Sequence, residues 1–340
     1  MCRRRNPVRL LAETSASHDH AVGASNGRER ERARNVLEIG TSSGEARLLR
    51  GKELTSRLRE DIAQSAHTLT LRGGASPLLV TILVGSNPSA EAYRTSIVRT
   101  LHTVSIQHRG LTLPAETTKS TLIETLHELN GDSQVTGILV LMPLPEHISP
   151  DTVLEFLSPL KDVDGITPTN AGRLHLGLPS LRPSTPQGGI ELLDHYGIPI
   201  AGARIAVIGR SNVVGRPLAS LLTRRHATVT LCHRQTRDLS GITREADIVA
   251  VAAGHPGLVT GDMLKAGSTV LDFGVNIVDG KVVGDANPES IGAVAAAYSP
   301  TPGGTGPVTA LVLARNTIAA GYAALSGDLD HVVDVLPDCH

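Results

Sequence analysis

A glycine-containing turn that follows an apolar strand is the first feature of this sequence that suggests chemistry. The turn runs from Gly209 to Gly215 in "GRSNVVG" and comes directly after "ARIAVI". It departs from the G-x-G-x-x-G pattern, because Ser211 takes the place of the second glycine and the last glycine comes one residue late. A helix begins here, and its first amide groups could receive a phosphate. A tight turn needs glycine for backbone reasons alone, but the position between strand and helix favours a nucleotide site.

The strand that follows this helix indicates which nucleotide would bind. An NAD site usually has Asp or Glu at the end of that strand, where the carboxylate binds the ribose 2′-hydroxyl. Here the strand ends in "CHRQT", which contains Arg234 and no carboxylate, and Arg210 lies in the first turn. Guanidinium groups bind phosphate bidentately. We therefore predict NADP rather than NAD, the alternative being two solvated surface arginines.

An aspartate-rich turn, "LKDVDGITPTNAGRL", lies near the middle of the chain and follows the end of a predicted helix. Asp162 and Asp164 precede Gly165, which permits a sharp turn. A carboxylate at this place could accept hydrogen bonds from the N–H groups of a heterocycle or hold a cationic intermediate. Taken alone, the segment is typical of an ordinary aspartate-rich turn.

A loop rich in proline and glycine, "SPTPGGTGP", leads into the last predicted helix. Rigid prolines and permissive glycines let the backbone approach a ligand closely. The density of these two residue types favours a ligand contact over a plain connecting loop.

A helix in the first half of the chain carries Tyr93 and, one turn later, Ile97 in "EAYRTSIVRTL". The two side chains share one face of the helix. The helix comes directly after "LLVTILVGSNPSA", a strand-like run and a polar turn, where loops usually carry chemistry. An isoleucine in a helix is ordinarily a core residue, whereas this one lies beside a predicted site.

The composition excludes several classes of protein. The chain has 340 residues, enough for two domains, and a net charge of −1. This charge, and an aromatic content of 2% without tryptophan, argue against nucleic-acid binding. Cys2, Cys232 and Cys339 have no metal-binding or disulfide spacing, so we expect no metal and a reducing cytoplasm. The absence of an apolar run of about 18 residues predicts that the chain does not span a membrane.

Apolar strands alternate with helical segments along the chain, which is typical of a parallel α/β sheet. In the first half we expect strands in "PLLVTILVG" and "VTGILVLMPLP", and helices in "KELTSRLREDIAQSAHTL", "AEAYRTSIVRTLHTVSI", "TKSTLIETLHELNGD" and "SPDTVLEFLSPL". A connecting helix, "STPQGGIELLDHYG", precedes four strands that suggest a small dinucleotide-binding domain. The long final helix, "TGPVTALVLARNTIAAGYAAL", could return to pack on the first domain.

The first 45 residues differ from the rest, because they are rich in Arg, Ser and Ala and lack apolar periodicity. They contain no apolar stretch of a secretory signal, and the later "GRERER" is too acidic for a transit peptide. We predict a disordered extension over residues 1–45, or a start codon placed too early.

Together these segments resemble the bifunctional methylenetetrahydrofolate dehydrogenase/cyclohydrolase family. The resemblance covers roughly residues 47 to 325, and its motifs occur in the family's order and spacing. The matching stretches are "VGSNPSAEAYRTS", "GILVLMPLP", "KDVDGITPTNAGRL", "RPSTPQGGIELL", "GRSNVVGRPLASLL", "ATVTLCHRQT", "ADIVAVAAGHP", "VLDFGVN", "VGDAN" and "TPGGTGPVTALVLARNT".

The resemblance implies a two-domain α/β subunit, in which an N-terminal catalytic domain faces a Rossmann-type NADP-binding domain across a cleft. We place the folate-binding domain at residues 46–185, completed by a C-terminal helix at residues 306–325, and the Rossmann domain at residues 186–300. The implied cofactor is NADP, and the implied substrate is the tetrahydrofolate derivative 5,10-methylenetetrahydrofolate. Because subunits of this family usually form homodimers, we expect a cytoplasmic homodimer.

The resemblance also implies which residues form the site. The pterin ring would stack near Tyr93 and be hydrogen-bonded by Asp164. The residues implied at the folate are Tyr93, Asp164, Pro302, Gly303, Gly304, Gly306 and Pro307. The residues implied at NADP are Gly209, Arg210, Ser211, Val214, Gly215, His233, Arg234, Ala253, Gly254 and Asn276.

Three positions depart from the family's pattern. The family's helix normally reads tyrosine, three residues, then lysine, but here Ile97 takes the place of the lysine. A shifted alignment cannot supply it, because there is no lysine between Lys52 and Lys119. Leu141 takes the place of a glutamine before the "LPLP"-like segment. Ser184 stands where the family commonly has cysteine, which is a milder change.

The first two departures affect the family's two reactions differently. Hydride transfer from the folate methylene bridge requires mainly the alignment of donor and acceptor. Hydrolysis of the methenyl product requires a proton-transfer group, which Ile97 and Leu141 cannot provide. We therefore predict an NADP-dependent dehydrogenase with weak or lost cyclohydrolase activity. The alternatives are a homologue that transfers the methylene unit to a second small-molecule acceptor in specialised metabolism, and a non-catalytic regulatory protein that binds folate or NADP.

Overall fold

The computed structural model describes residues 45–330, in which strands and helices alternate along the chain. The strands are β1 (Arg47–Leu48), β2 (Leu78–Val84), β3 (Gln107–Leu113), β4 (Gly137–Val140), β5 (Arg204–Ile208), β6 (Thr228–Cys232), β7 (Ile248–Val251), β8 (Thr269–Asp272), β9 (Asn276–Val278), β10 (Lys281–Val283) and β11 (Ala297–Tyr298). The helices are α1 (Gly51–Gly73), α2 (Pro88–His102), α3 (Lys119–Gly131), α4 (Asp151–Phe156), α5 (Pro168–Leu176), α6 (Ser184–His195), α7 (Gly215–Arg224), α8 (Leu239–Arg244), α9 (Pro288–Gly292) and α10 (Thr305–Ser326). The predicted disordered extension, over residues 1–45, lies outside the described residues except for Glu45.

A three-stranded parallel sheet, in the order β3-β2-β4, forms the centre of the first domain. The central strand β2 is buried along almost its whole length, because its Leu, Val and Ile side chains are covered on both faces. α2 follows this strand and begins at Pro88, where Asn87 accepts a hydrogen bond from the Ala90 amide at 3.0 Å. The start of α2 therefore lies at the carboxyl end of β2, where it can contribute side chains to a site.

A six-stranded parallel sheet, in the order β1-β11-β8-β7-β5-β6, forms the second domain. β5 pairs with β6 on one side and with β7 on the other. The order in which successive strands are added to the sheet therefore changes direction beside β5. In open parallel sheets, ligands bind at the carboxyl ends of the strands at such a switch point. The glycine turn that follows β5 lies at this position.

The C-terminal helix α10 contributes to the cores of both domains. Leu311 and Ile318 belong to the apolar cluster of the first domain, whereas Val308 and Val312 belong to a cluster of the larger sheet. The helix has the length and composition to cross a membrane, but 83% of its most apolar window is buried inside the protein. It packs against α1 and α6, which is the environment of a core helix.

This arrangement confirms the predicted two-domain α/β fold with a Rossmann-type second domain. The details differ in the first half, where the sequence pattern predicts a helix through Ile106 but α2 ends at His102. Ser105 adopts a φ of 57°, which turns the chain into β3. The polar sequence of β3 gives no strand signal, because β3 is an edge strand with one side exposed. β1 lies in the range assigned to the first domain but pairs with β11 of the larger sheet.

Candidate active site

The glycine turn lies between the carboxyl ends of β5 and β7. Gly209 has a φ of 117°, which favours glycine, and its amide donates to the Cys232 carbonyl at 2.9 Å. A Cβ atom on Gly209 would overlap the Ala252 carbonyl oxygen, and a Cβ atom on Gly215 would overlap the Gly209 carbonyl oxygen. Glycine at both ends therefore lets the turn pack directly against β7 and the start of α7.

Ser211 supports the start of α7 from within this turn. Its hydroxyl accepts a hydrogen bond from the Val214 amide at 3.1 Å, and its carbonyl accepts one from the Arg216 amide at 3.1 Å. Arg210 and Ser211 are exposed, whereas Val214 is half-buried. The turn thus presents an open surface at the N-terminal end of a helix, which is a favourable place for a phosphate group.

The second arginine follows β6 and lies at the same edge of the sheet. β5 and β6 are adjacent and parallel, so the segments after them leave the sheet at the same edge. The His233 amide donates to Thr236 Oγ1 at 2.8 Å, and His233 Nδ1 accepts from the Gln235 amide at 3.2 Å. These contacts fix the segment, and Arg234 is exposed on it. Arginines after adjacent strands fit the 2′-phosphate of NADP by charge.

One buried carboxylate, Asp285, holds the loop after β7 and the side chain of Asn276. Its oxygens accept hydrogen bonds from the amides of Ala253, Gly254 and His255 at 2.6, 2.8 and 2.9 Å. Asn276 Nδ2 donates to the same carboxylate at 2.8 Å. The side chain of Asp285 is 0% exposed. The predicted cofactor residues Ala253, Gly254 and Asn276 are therefore held by the same carboxylate, at the carboxyl end of β7.

The structure places Tyr93 close to Asp164 and Ser184. The Ser184 hydroxyl donates to Asp164 Oδ1 at 3.0 Å, and the Tyr93 phenol lies near both side chains. Tyr93 and Asp164 are both half-buried, whereas Ser184 is buried. Burial, and then the nearby Asp164 charge, raise the pKa of Tyr93. The phenol therefore stays protonated over the physiological range of pH.

The two aspartates of the turn have different roles. Asp162 is 0% exposed and accepts hydrogen bonds from the Ile166 and Thr167 amides at 3.1 and 2.8 Å and from Asn170 Nδ2 at 3.0 Å. Its role is to brace the turn, although burial raises its pKa. Burial first, and the charge of Asp162 second, raise the pKa of Asp164 to about 7. Because Asp164 remains partly exposed, it is the aspartate that a ligand can reach.

The C-terminal helix fixes the two segments that carry Asp164 and Ser184. Asn316, which is 0% exposed, donates from Nδ2 to the Val163 carbonyl at 2.8 Å and to the Arg182 carbonyl at 2.7 Å. Val163 directly precedes Asp164, and Arg182 comes two residues before Ser184. A single amide group therefore sets the separation of the two segments.

Ile97 and Leu141 occupy the places of the absent lysine and glutamine, and both are buried in the same apolar cluster. Ile97 is 0% exposed and Leu141 is 2% exposed. Tyr93 packs against this cluster. The positions that would handle a proton are thus occupied by packed hydrocarbon beside the predicted folate-stacking residue.

The loop rich in proline and glycine connects β11 to α10. The Gly303 carbonyl accepts a hydrogen bond from the Gly51 amide at 2.9 Å, at the start of α1. Thr305 Oγ1 donates to the Asp272 carbonyl at 3.3 Å, at the end of β8. The exposed residues of the loop are Pro302, Gly306 and Pro307, and Gly304 is buried. Hydrogen bonds therefore hold the loop on both sides, and its exposed residues are accessible to a ligand.

Sequence reasoning missed the residues that hold the site together. The link through Ser184 had one signal, because serine stands where a cysteine is common in the resembling family. Asp285 and Asn316 lie in the quoted stretches "VGDAN" and "ARNT", but their partners are distant in sequence. Across residues 45–330, no group of three His, Cys, Asp or Glu side chains could hold a metal ion.

The fold and the site define a two-domain α/β protein with a dinucleotide turn at the switch point of a parallel sheet. The chain belongs to the tetrahydrofolate dehydrogenase/cyclohydrolase family. The family's catalytic domain matches residues 49–164, and its NAD(P)-binding domain matches residues 183–324.

Individual relatives support the same assignment. The bifunctional protein FolD of Chloroflexus aurantiacus is 48% identical over 276 residues, which cover 81% of this chain and 97% of that protein. The crystal structure of the bifunctional enzyme FolD from Campylobacter jejuni has a TM-score of 0.78 at 40% identity, covering 81% of this chain and 98% of its own. The Trypanosoma brucei methylenetetrahydrofolate dehydrogenase-cyclohydrolase, complexed with NADP and an inhibitor, has a TM-score of 0.79 at 32% identity and covers 83% of this chain and 99% of its own.

Proposed function

We propose that this chain is an NADP-dependent 5,10-methylenetetrahydrofolate dehydrogenase whose methenyltetrahydrofolate cyclohydrolase activity is weak or lost. The reaction moves a hydride from the methylene bridge of the folate to NADP⁺ and gives 5,10-methenyltetrahydrofolate. The observation that carries the proposal is that Tyr93 lies beside the hydrogen-bonded pair of Ser184 and Asp164, while Ile97 and Leu141 in the cluster against which Tyr93 packs are buried hydrocarbon.

Tyr93 and Asp164 are the residues proposed to hold the folate ring. The partly exposed aromatic ring of Tyr93 can stack on a flat heterocycle. The Asp164 carboxylate can accept hydrogen bonds from ring N–H groups, which are stronger when the acceptor is charged. Tyr93 is held by packing against the apolar cluster and Asp164 by the Ser184 hydroxyl, so the folate would meet a preformed surface.

The residues at the carboxyl ends of β5 and β6 fit NADP. The close packing at Gly209 and Gly215 leaves the start of α7 open to a pyrophosphate, and Arg210 and Arg234 suit a 2′-phosphate. When bound, NADP⁺ supplies the hydride acceptor. The Trypanosoma brucei relative, which binds NADP, supports this choice of cofactor.

Hydrolysis of the methenyl product makes a different demand on the site. Water must lose a proton as it attacks the methenyl carbon, and a placed group that takes this proton contributes about 10²–10⁴ in rate. The place of the family's lysine is taken by Ile97, which is 0% exposed and cannot accept a proton. The relatives are named as bifunctional proteins, so hydrolysis is the step at which this chain is proposed to differ from them.

The test is an assay that follows three products separately. Purified protein is mixed with 5,10-methylenetetrahydrofolate and NADP⁺, and NADPH, methenyl and formyl folate are each measured. We expect NADPH together with an accumulating methenyl product. Formyl product formed catalytically at the rate of oxidation would refute the loss of cyclohydrolase activity. A lack of NADPH would refute the dehydrogenase.

A second candidate function is transfer of the methylene unit to a second small-molecule acceptor. The burial of Ile97 and Leu141 in one apolar cluster favours it, because a site without water-handling groups protects a reactive one-carbon unit from hydrolysis. In the same assay this candidate predicts folate binding without NADPH formation. Loss of the methylene unit only when candidate nucleophiles are added would then support it.

We also propose that the chain acts as a homodimer in the cytoplasm. Val275, directly before β9, is 72% exposed and Ile277, in β9, is 60% exposed, and such apolar patches mark association surfaces. Light scattering on the purified chain measures whether one or two copies are present. An Ile277→Asp variant should shift the population toward one copy, and a monomeric wild type would refute the homodimer.

A further inference from the structure

The hydroxyl of Ser184 lies between two residues of the proposed folate site. It donates to Asp164 Oδ1 at 3.0 Å, and the Tyr93 phenol lies close to both side chains. A serine hydroxyl has a single proton, which Ser184 gives to Asp164. The hydroxyl of Ser184 is therefore directed at the carboxylate.

Ser184 is well placed to fix the orientation of the Asp164 carboxylate. Its side chain is 1% exposed, so water does not compete for Asp164 at this point. It is the first residue of α6, and its backbone amide, like its hydroxyl, lowers the pKa of Asp164. Asp164 lies in the turn before α5, so the hydroxyl links this turn to the start of α6.

We propose that Ser184 is a positioning residue whose hydroxyl orients the Asp164 carboxylate toward the folate. This role rests on the proposed function, because it takes the folate ring as the ligand of Asp164. In the resembling family a cysteine is common at this place, and a thiol is a weak donor compared with a hydroxyl. The replacement therefore gives this chain a stronger hydrogen bond to the carboxylate.

The charged and titratable groups around Asp164 define the expected pH dependence. Burial and the charge of Asp162 raise the pKa of Asp164 to about 7, whereas the hydroxyl and amide of Ser184 lower it. The phenol of Tyr93 faces the carboxyl from α2, and its raised pKa keeps it from titrating near neutrality. The acceptor form of Asp164 is thus lost as the pH falls through about 7, and removal of the Ser184 hydroxyl should move this loss to higher pH.

The test compares Ser184→Ala and Ser184→Cys with the wild type. Ser180→Ala is the matched control, because Ser180 is also 1% exposed and its hydroxyl has no hydrogen-bond partner in the described part of the chain. The measurements are kcat/KM for the folate from pH 5.5 to 9, the KM for NADP⁺, and folate affinity by calorimetry at the two ends of this range. These pH limits lie about 1.5 units below and about two units above the midpoint near 7.

We expect kcat/KM for the folate to fall on the acid side, with a midpoint that Ser184→Ala raises by about one pH unit. Ser184→Cys should lie between Ser184→Ala and the wild type, and Ser180→Ala should match the wild type. The KM for NADP⁺ should stay within about twofold, because Arg210 and Arg234 lie on the other domain.

An unchanged midpoint in Ser184→Ala would overturn the proposed role while leaving the dehydrogenase intact. An equal loss of catalytic efficiency with the folate and with NADP⁺, without a shift of the pH midpoint, would also overturn the proposed role, since it indicates a general structural defect. If Ser184→Ala fails to fold, Ser184→Cys provides the same comparison. A wild type that neither oxidises nor binds the folate at any pH would overturn the proposed function and this role with it.

Discussion

Ile97 on α2 and Leu141 after β4 belong to one buried apolar cluster, and Tyr93 packs against it. Their joint burial means that neither position can hold a charge without a polar partner, because an unpaired buried charge is costly. The two substitutions are therefore complementary: replacing only one polar group of a pair would leave the other unsatisfied. The pair is the basis for the proposal that hydride transfer is retained at this site and a proton-transfer step is lost.

Restoring both polar groups should restore hydrolysis. Ile97→Lys with Leu141→Gln places an amine and a partner amide beside Tyr93. A placed proton-transfer group contributes about 10²–10⁴ in rate. We therefore expect formyl folate to form at least about tenfold faster than in the wild type, even if the restored group recovers only part of this effect. The measurement is the rate of methenyl hydrolysis, corrected for the uncatalysed reaction.

The control for this restoration is the double substitution Ile97→Met and Leu141→Met, which keeps the cluster apolar and costs less than about 1.5 kcal/mol per site. It should hydrolyse no faster than the wild type. Ile97→Lys alone should be less stable than the double polar variant, because its amine lacks a partner. Equal hydrolysis by the two double variants would contradict a role for the lysine position.

Cofactor choice should depend on Arg234. A hydrogen bond to a charged group contributes about 1.5–3 kcal/mol, so Arg234→Ala should raise the KM for NADP⁺ by about 10- to 100-fold and leave the KM for NAD⁺ almost unchanged. The matched control is Arg237→Ala, which removes an exposed arginine three residues further along. A parallel loss for both nucleotides, or an equal effect of Arg237→Ala, would place the 2′-phosphate elsewhere.

Much of the fold could be predicted from periodicity, because buried strands such as β2 and amphipathic helices leave strong patterns in the sequence. The edge strand β3 could not be predicted in this way, since half of its residues face solvent and the glycine at 110 interrupts it. The two-residue strands β1 and β11 are too short to form a pattern, and they exist only through pairing with distant segments.

The residue types of the candidate site could be predicted, but their connections could not. Tyr93 and Asp164 were indicated by motif, yet the hydroxyl that holds Asp164 comes from Ser184, twenty residues further along. Asp285 gives no local sign of its role, because its four hydrogen bonds reach back to residues 253–255 and 276. Such contacts follow from tertiary packing, which a single sequence does not display.

A buried ion pair between α6 and α10 should be important for stability. Arg315 and Glu191 have side chains that are 7% and 11% exposed; they form two hydrogen bonds, and Gln187 Nε2 donates to the same carboxylate at 3.0 Å. Arg315→Met should lower the free energy of unfolding by about 3–5 kcal/mol, because it leaves Glu191 uncompensated. The double variant with Glu191→Met should lose less than Arg315→Met alone. Urea unfolding measures both.

The exposed pair of Arg204 and Glu245 provides the comparison for this ion pair, since its side chains are 64% and 71% exposed. Arg204→Met should change the free energy of unfolding by no more than the experimental error, as is usual for surface pairs. If Arg315→Met lowers the free energy of unfolding no more than Arg204→Met does, the ion pair between α6 and α10 contributes little to stability.

The stability of the second domain should depend on pH through Asp272. Burial first raises the pKa of this carboxyl from 3.8 to about 6; the charge of Asp285 adds to the rise, and the Gly274, Asp285 and Ala286 amides oppose it. Because the folded pKa lies above the unfolded pKa, the native state binds the proton more tightly, and its contribution to stability is fully present below about pH 4 and is lost as the pH rises through 6. Relative to Asp272→Asn, the wild type should therefore lose on the order of 2 kcal/mol of unfolding free energy between pH 4 and pH 7. Urea unfolding of both proteins across this range gives the difference directly, since the other carboxyl groups are common to both. The difference in unfolding free energy between the wild type and Asp272→Asn could instead stay constant with pH, or shift in favour of the wild type as the pH rises. Either result would mean that Asp272 is already charged in the folded protein at low pH.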